Sequence, residues 1–166
     1  MKNTIKTIFH AQLAAVLLAA ALTDSVAADH DVPFRGTLQA VEQFDVQFPT
    51  LFVDASGSGN ATHLGRFATA YGEVVDLLTL TSTGSAHFIA ANGDSLFTET
   101  VSPNPPQFPA PDVISFVVTH TITGGTGRFA GATGSFNETR VVNLITGDAV
   151  GSFIGSIMFN NGKKTK

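Results

Sequence analysis

The sequence predicts an all-β fold, in which one domain forms an eight-stranded antiparallel up-and-down β-barrel. The first observation is composition: 16 Gly, 14 Phe and no Trp among 166 residues are typical of short strands separated by glycine turns. The second is that no long segment after the N-terminus combines a helical apolar repeat with a cap. The third is that eight consecutive antiparallel strands leave two open edges unless the sheet closes. A two-sheet sandwich is the alternative.

The clearest strand pattern lies at 114–123. Apolar residues alternate there with Ser and Thr, so that Phe116, Val118 and His120 fall on one face. Such alternation is typical of a half-buried strand. Seven further segments have a similar composition, at 34–44, 62–71, 74–81, 85–91, 95–101, 135–144 and 149–159.

Glycine and proline mark the connections between these strands. Asn-Gly-Asp at 92–94 and Thr-Gly-Asp at 146–148 are typical of tight hairpins, so we expect neighbouring strands to be antiparallel. Ser-Gly-Ser-Gly at 56–59 predicts another turn. Five of the seven prolines fall within 102–112, which predicts the longest loop because proline cannot donate a ladder hydrogen bond.

The N-terminus has the order of a secretory signal peptide. Lys2 and Lys6 precede an apolar run at 13–22, and small residues follow up to Ala27 and Ala28. The run is too short to span a bilayer, which takes about 20 residues. The sequence therefore predicts cleavage near Ala27 or Ala28, a secreted or periplasmic protein, and no integral membrane segment after processing.

Composition also limits the chemistry of the remaining barrel domain, 29–166. The chain has no Cys, so disulfides and thiol catalysis are excluded. Its formal net charge is -4 with only 13% charged residues, which lacks the positive field of a nucleic-acid-binding protein. We therefore expect no nucleic-acid partner.

The segment 122–134 reads ITGGTGRFAGATG and resembles the strand-end segment of allene oxide cyclases. Plant dirigent proteins carry a related stretch, and 59–67 and 90–94 are similar to motifs of secreted bacterial relatives. In physical terms the glycines supply positive φ in a turn, while Phe129 returns to apolar space. We expect Gly124, Gly125, Gly127, Gly131 and Gly134 to serve backbone shape rather than phosphate binding.

This resemblance implies a calycin-type barrel with an apolar cavity, which needs neither metal nor organic cofactor and often assembles as a homotrimer. In the plant enzymes the cavity holds a reactive fatty-acid epoxide, and in dirigent proteins it steers radical coupling. The plant cyclase uses a Glu, Asn and Cys set, whereas this chain has no Cys. Glu42 stands at a loosely comparable place in the first strand, but no flanking motif matches, so no catalytic residue is assigned.

Five residues are candidates for a ligand-binding cavity: His120, Phe116, Arg66, Glu138 and Arg140. His120 shares the apolar face of its strand, which fits either a hydrogen-bonded core histidine or a cavity group. Glu138 and Arg140 share one strand face, which favours an exposed ion pair over a charged pair near a cavity mouth. Arg66 could reach an anionic group of a ligand or simply lay its stem on apolar surface.

The same residues leave two functional classes open. In the first, the exported barrel binds a small apolar ligand, with cyclase- or isomerase-type activity as a further possibility. In the second, it is a non-catalytic binding or envelope-structural protein. A zinc site at His63, His87 and His120 has no ligand-like spacing, so we expect no metal.

Overall fold

The computed structural model describes residues 31–160, so the predicted signal peptide at 1–28 lies outside the described residues. That part of the chain holds nine strands and one short 3₁₀ turn at Gly127–Phe129, and it contains no helix long and apolar enough to cross a membrane. The strands are β1 (Val32–Gln47), β2 (Thr50–Ala61), β3 (Gly65–Asp76), β4 (Thr81–Ala90), β5 (Ser95–Ser102), β6 (Gln107–Ala110), β7 (Val113–Gly125), β8 (Thr133–Asn143) and β9 (Asp148–Met158).

Eight of these strands form a closed barrel in which every neighbouring pair is antiparallel. β9 returns to pair with β1 along Val32–Val41, and β5 pairs with β7 to complete the circle. β6 lies outside this circle and pairs only with the first residues of β7. The closed barrel is confirmed, and the open two-sheet sandwich is not what forms.

Two parts of the predicted strand order are wrong: one strand is missed and another is divided in two. The number of barrel strands is therefore still eight. The segment 56–59 is not a turn but lies inside β2, paired with β1 and β3. Its glycines occupy crowded inward positions, since a Cβ on Gly57 would lie 2.7 Å from Cα of Ala40. The predicted strands 62–71 and 74–81 are instead one strand, β3, followed by the turn at 77–80.

The proline-rich segment 102–112 is also more ordered than a loop. Gln107 pairs with Ser115 and Ala110 pairs with Val113. Pro109 is tolerated because β6 is an edge strand, where a missing backbone donor leaves no ladder hydrogen bond broken. The hairpin turns at 92–94 and 146–148 are confirmed.

One end of the barrel is filled by apolar side chains. Phe34, Phe88, Phe136 and Phe153 pack in the interior, and the rings of Phe34 and Phe136 meet edge to face at 5.1 Å. Phe129 from the glycine-rich segment is fully buried over this end. Positive φ occurs there at the glycines 124, 127, 131 and 134, but not at 125.

The two ends of the barrel differ because of the direction of the strands. The connections at 62–64, 91–94 and 126–132 lie at the apolar-filled end, together with the start of β1 and the end of β9. The connections at 48–49, 77–80, 103–112 and 144–147 lie at the other end, which we call the mouth.

Candidate functional site

The half of the barrel interior nearest the mouth contains a buried ionic cluster, which consists of Glu42, Glu73, Glu138 and Arg140. Each of these side chains is inward-facing on its strand, and none is more than 6% exposed. Strand alternation places them there, because Glu42 follows Leu38 and Ala40 at spacing two on β1. One guanidinium therefore lies among three carboxyl groups inside the barrel.

Arg140 is the centre of this cluster. Its Nη1 donates to Oε1 of Glu73 at 2.9 Å, and its Nη2 and Nε donate to the two oxygens of Glu138 at 2.9 and 3.1 Å. A longer contact of 3.5 Å joins Nη1 to Oε1 of Glu42. The guanidinium also lies 4.2 Å from the centroid of the Tyr71 ring and 5.7 Å from that of Phe116.

The expectation of an exposed Glu138–Arg140 pair is wrong. Both side chains point into the barrel, where Glu138 is 0% and Arg140 1% exposed. Outward positions of β8 are taken by the uncharged Asn137 and Thr139. A buried arginine needs carboxylates on more than one strand to satisfy its fork of donors, and those on β1 and β3 are far away in sequence.

His120 is a hydrogen-bonded core histidine. Its Nε2 lies 3.0 Å from Oε2 of Glu138, and its Nδ1 lies 3.0 Å from Oγ1 of Thr98. A carboxylate only accepts, so Nε2 donates to Glu138, and the second ring nitrogen shares a hydrogen bond with the Thr98 hydroxyl. The ring also stacks on Phe136 at 4.3 Å. His120 therefore supports Glu138 from behind and does not reach the mouth.

Glu138 and Arg140 each stabilise the charged form of the other. Burial alone would raise the pKa of Glu138, but the Arg140 charge and hydrogen bonds from His120 and Arg140 lower that pKa to about 2. Burial likewise opposes the charge on Arg140, but the carboxylates of Glu138 and Glu73 raise the pKa of the guanidinium well above its ordinary value. Both groups are held in their charged forms.

Glu42 is shifted in the opposite direction. Burial raises its pKa above 4.5; Arg140 and the Tyr71 hydrogen bond counter the rise, while Glu73 and Glu138 add to it. The Tyr71 hydroxyl donates to Oε1 of Glu42 at 2.8 Å, and burial raises the pKa of Tyr71 as well. The pKa of Glu42 is thus shifted upward by the same buried surroundings in which the pKa of Glu138 is shifted downward.

An apolar pocket of about 190 Å³ opens above this cluster at the mouth. Glu42 and Glu73 lie at its base, and its walls include Phe44, Leu51, Ile114 and Phe116. Phe108 of β6 reaches its rim. Oε2 of Glu42 accepts no hydrogen bond from the described residues, whereas Oε1 is held by Tyr71 and Arg140. The pocket therefore joins apolar walls to a carboxyl group with one free oxygen.

Arg66 does not belong to this site. It is exposed near the apolar-filled end and lines an open depression of about 970 Å³ on the outside of the wall. That depression is larger than the mouth pocket, but among residues 31–160 Arg66 is the only charged one that lines it, and none of those lining residues is a buried ionisable group. The mouth pocket is the better candidate site because it places an ionisable group against apolar walls.

The structure thus brings together Phe116, Glu138, Arg140 and His120, and separates Arg66 from them. His63 and His87 lie away from His120, and residues 31–160 hold no cluster of three potential metal ligands. The sequence pattern does not connect Glu42, Glu73 and Tyr71 with one another or with Arg140. Their inward positions at spacing two after apolar residues were the available signal, but the convergence of β1, β3 and β8 is visible only in the closed barrel.

Comparison with known proteins does not name a family for this barrel. The chain matches no family model, and no curated protein matches it either. The resemblance to allene oxide cyclases and dirigent proteins therefore stays a prediction.

Proposed function

We propose that this protein binds a small, largely apolar molecule in the mouth pocket and rearranges it by proton transfer at Glu42. It would thus act as a cofactor-independent isomerase or cyclase. The observation that carries the proposal is the Glu42 carboxyl of raised pKa, which presents a free oxygen at the base of an apolar pocket. Carboxyl groups whose pKa is shifted by such surroundings can act as general acids and bases in catalysis.

The size of the pocket limits the ligand. An apolar cavity of about 150 Å³ is enough to take up benzene, so about 190 Å³ suits a compact ring system or a short chain. Glu42 offers one hydrogen-bond donor when it is protonated. We therefore expect a ligand with an apolar body and one oxygen function, such as a carbonyl, epoxide or hydroxyl group.

The proton transfer that we propose balances without a cofactor. Protonated Glu42 donates its proton from Oε2 to the oxygen of the ligand, and the resulting carboxylate is stabilised by Tyr71 and Arg140 through Oε1. That carboxylate then accepts a proton from the rearranging ligand, so that the product is an isomer and Glu42 is protonated again. Glu73 and Glu138 keep the guanidinium in place.

The binding half of this proposal is tested with 1-naphthol and naphthalene, followed by isothermal titration calorimetry. We expect 1-naphthol to bind more tightly than naphthalene, because its hydroxyl group pairs with Glu42. The Glu42→Gln variant should lose most of this preference, and Ile114→Trp should fill the pocket and weaken both ligands. Glu99→Gln, an exposed outer-wall control, should change neither. If 1-naphthol and naphthalene bind equally well, and Ile114→Trp binds them as tightly as the unchanged protein does, the pocket is excluded as the binding site.

The catalytic half of the proposal is tested with a strained epoxide or an unconjugated enone that is similar in size to 1-naphthol. Conversion to an isomer of the same mass, detected by mass spectrometry and NMR, should depend on Glu42 and survive in Glu99→Gln. Binding without any conversion would favour a non-catalytic binding protein.

We also propose that the protein is exported. The support is the order of basic, apolar and small residues at 1–28. Intact-mass measurement of protein from an extracytoplasmic fraction should give a start near Ala28 or Asp29, and retention of the leader there would contradict the proposal.

A further inference from the structure

The mouth is ringed by exposed apolar side chains, most of which do not line the mouth pocket. Val46, Phe48, Leu78, Phe108 and Ile145 are between 64% and 75% exposed, and we call them the apolar crown. Val46 lies near the end of β1, and the other four come from four separate chain connections, which all reach the same end of the barrel. Exposed apolar side chains gathered at one end of a barrel are typical of a contact with another apolar phase or partner.

Among the described residues, the exposed charges at the mouth are all acidic, whereas the opposite end carries both signs, as in the Arg128–Asp94 pair. Asp45, Asp76, Asp112 and Asp148 are the exposed ionisable residues near the mouth connections. The exposed basic residues among the described ones lie at the opposite end: Arg35 contacts Thr62, Arg128 contacts Leu64, and Arg66 follows the first residue of β3. The apolar crown is therefore set in an acidic rim.

The apolar crown and its acidic rim together distinguish between possible binding partners of this surface. A second copy of the chain placed mouth to mouth would bring two acidic rims together, which like charges oppose. Anionic lipid would be repelled in the same way. A zwitterionic lipid presents an ammonium group outermost, which the carboxylates attract, and aromatic faces such as those of Phe48 and Phe108 also attract quaternary ammonium groups.

We infer that the apolar crown is a docking surface for zwitterionic, choline-type lipid, with the barrel standing mouth-down on the lipid surface. Side chains from four connections surround one opening. This arrangement suits contact with a flat lipid surface better than it suits a peptide, which would need a groove. An apolar molecule would then pass from the lipid into the mouth pocket without crossing water. The docking itself does not require catalysis, and only this last step rests on the proposed function.

The test is co-sedimentation with phosphatidylcholine vesicles, using the full chain in three forms with the same N-terminus. The crown variant combines Phe48→Ser, Phe108→Ser and Ile145→Ser. The matched control combines Val117→Ser, Val150→Ser and Ile154→Ser, which removes exposed apolar side chains from the outer wall. We expect the crown variant to bind at least about tenfold more weakly than the unchanged protein, and the control to bind as well as it does.

Vesicle charge and salt concentration are varied in the same experiment. Mixing phosphatidylglycerol into the vesicles should weaken binding, and added salt should restore part of it. Equal binding of all three forms, binding only to anionic vesicles, or no binding at all would overturn the inference. So would a lipid-free dimer that the crown variant abolishes, detected by sedimentation velocity. If vesicles bind but 1-naphthol does not, the docking surface stands and the proposed function fails.

Discussion

At the residue scale, the buried ionic cluster contains more carboxyl groups than basic groups. Arg140 has three carboxyl neighbours, and only the two with the shorter contacts, Glu73 and Glu138, lie within 3.1 Å of its nitrogens. Glu42 is the third, at 3.5 Å. Charges in a low-dielectric interior are costly unless they are paired, and the pKa of this third, less closely paired carboxyl group is raised.

Arg140→Met tests the role of the guanidinium. The change leaves buried carboxyl groups without a counter-charge, so we expect the free energy of unfolding to fall by about 3–5 kcal/mol. Urea unfolding at neutral pH measures this. Arg66→Met is the matched control, because Arg66 is exposed, and its unfolding midpoint should stay unchanged. A stable Arg140→Met protein would show that the cluster contributes little.

Glu42→Gln tests the protonation of Glu42 through its effect on stability. The pKa of Glu42 is raised in the folded state, so between its unfolded pKa and its folded pKa the unfolded chain loses this proton first. Stability conferred by the proton is therefore fully present below the unfolded pKa and is lost as the pH rises through the folded one.

Glutamine mimics the protonated carboxyl and does not titrate. We therefore expect Glu42→Gln to match the unchanged protein at about pH 4 and to be the more stable of the two at about pH 8. Urea unfolding at both values decides the matter, and an unchanged difference between them would contradict a raised pKa.

At the element scale, β9 shows how a strand makes room for a buried charge. Gly151 faces inward between Ala149 and Phe153, and a Cβ there would collide with Oε1 of Glu138 and lie 3.1 Å from Cγ of Leu38. The small residue is therefore what allows Glu138 of β8 to lie against the wall and meet Arg140.

Gly151→Ala should displace the Glu138 carboxylate. We expect a loss of about 1–3 kcal/mol in the free energy of unfolding, as for other overpacked sites. Gly72→Ala is a suitable control on β3, because its Cβ would meet nothing closer than Oδ1 of Asp54 at 3.5 Å. Equal urea midpoints for the two variants would mean that Glu138 can shift without cost.

Strand alternation predicted the inward face of β7 correctly, including His120, because that strand follows a strict period of two. It failed on β2, where Gly57 and Gly59 mimic a turn but are in fact required by close packing against β1. It could not find the ionic cluster, because Glu42, Glu73 and Arg140 meet only through closure of the barrel. Pairing between distant strands leaves no local signal in one sequence.

At the scale of the whole molecule, the barrel is polarised along its axis. Phenylalanines fill one end, the ionic cluster occupies the middle, and the mouth carries the pocket and the apolar crown. Stability and chemistry are therefore separated: the apolar-filled end supplies hydrophobic stabilisation, and the ionic half holds groups that respond to pH.

Acid unfolding of the whole molecule should reflect Glu138. Its pKa falls from 4.5 to about 2 on folding, so its contribution to stability is present above the unfolded pKa and is lost as the pH falls through the folded one. Between about pH 7 and about pH 3 the unchanged protein should lose more stability than Glu138→Gln does. Glu99→Gln controls for exposed carboxyl groups and should lose as much as the unchanged protein. Parallel losses in all three proteins would contradict the shift.

The most direct test of the account is a carbon-13 NMR titration of the Glu42 carboxyl, assigned by comparison with Glu42→Gln. The measurement is made with and without 1-naphthol. We predict a titration midpoint above the ordinary value of 4.5 and a change in the Glu42 signal when the ligand binds. A midpoint at or below that value, or a Glu42 signal unaffected by a ligand that demonstrably binds, would contradict the claim that this carboxyl donates and accepts the proton in the pocket.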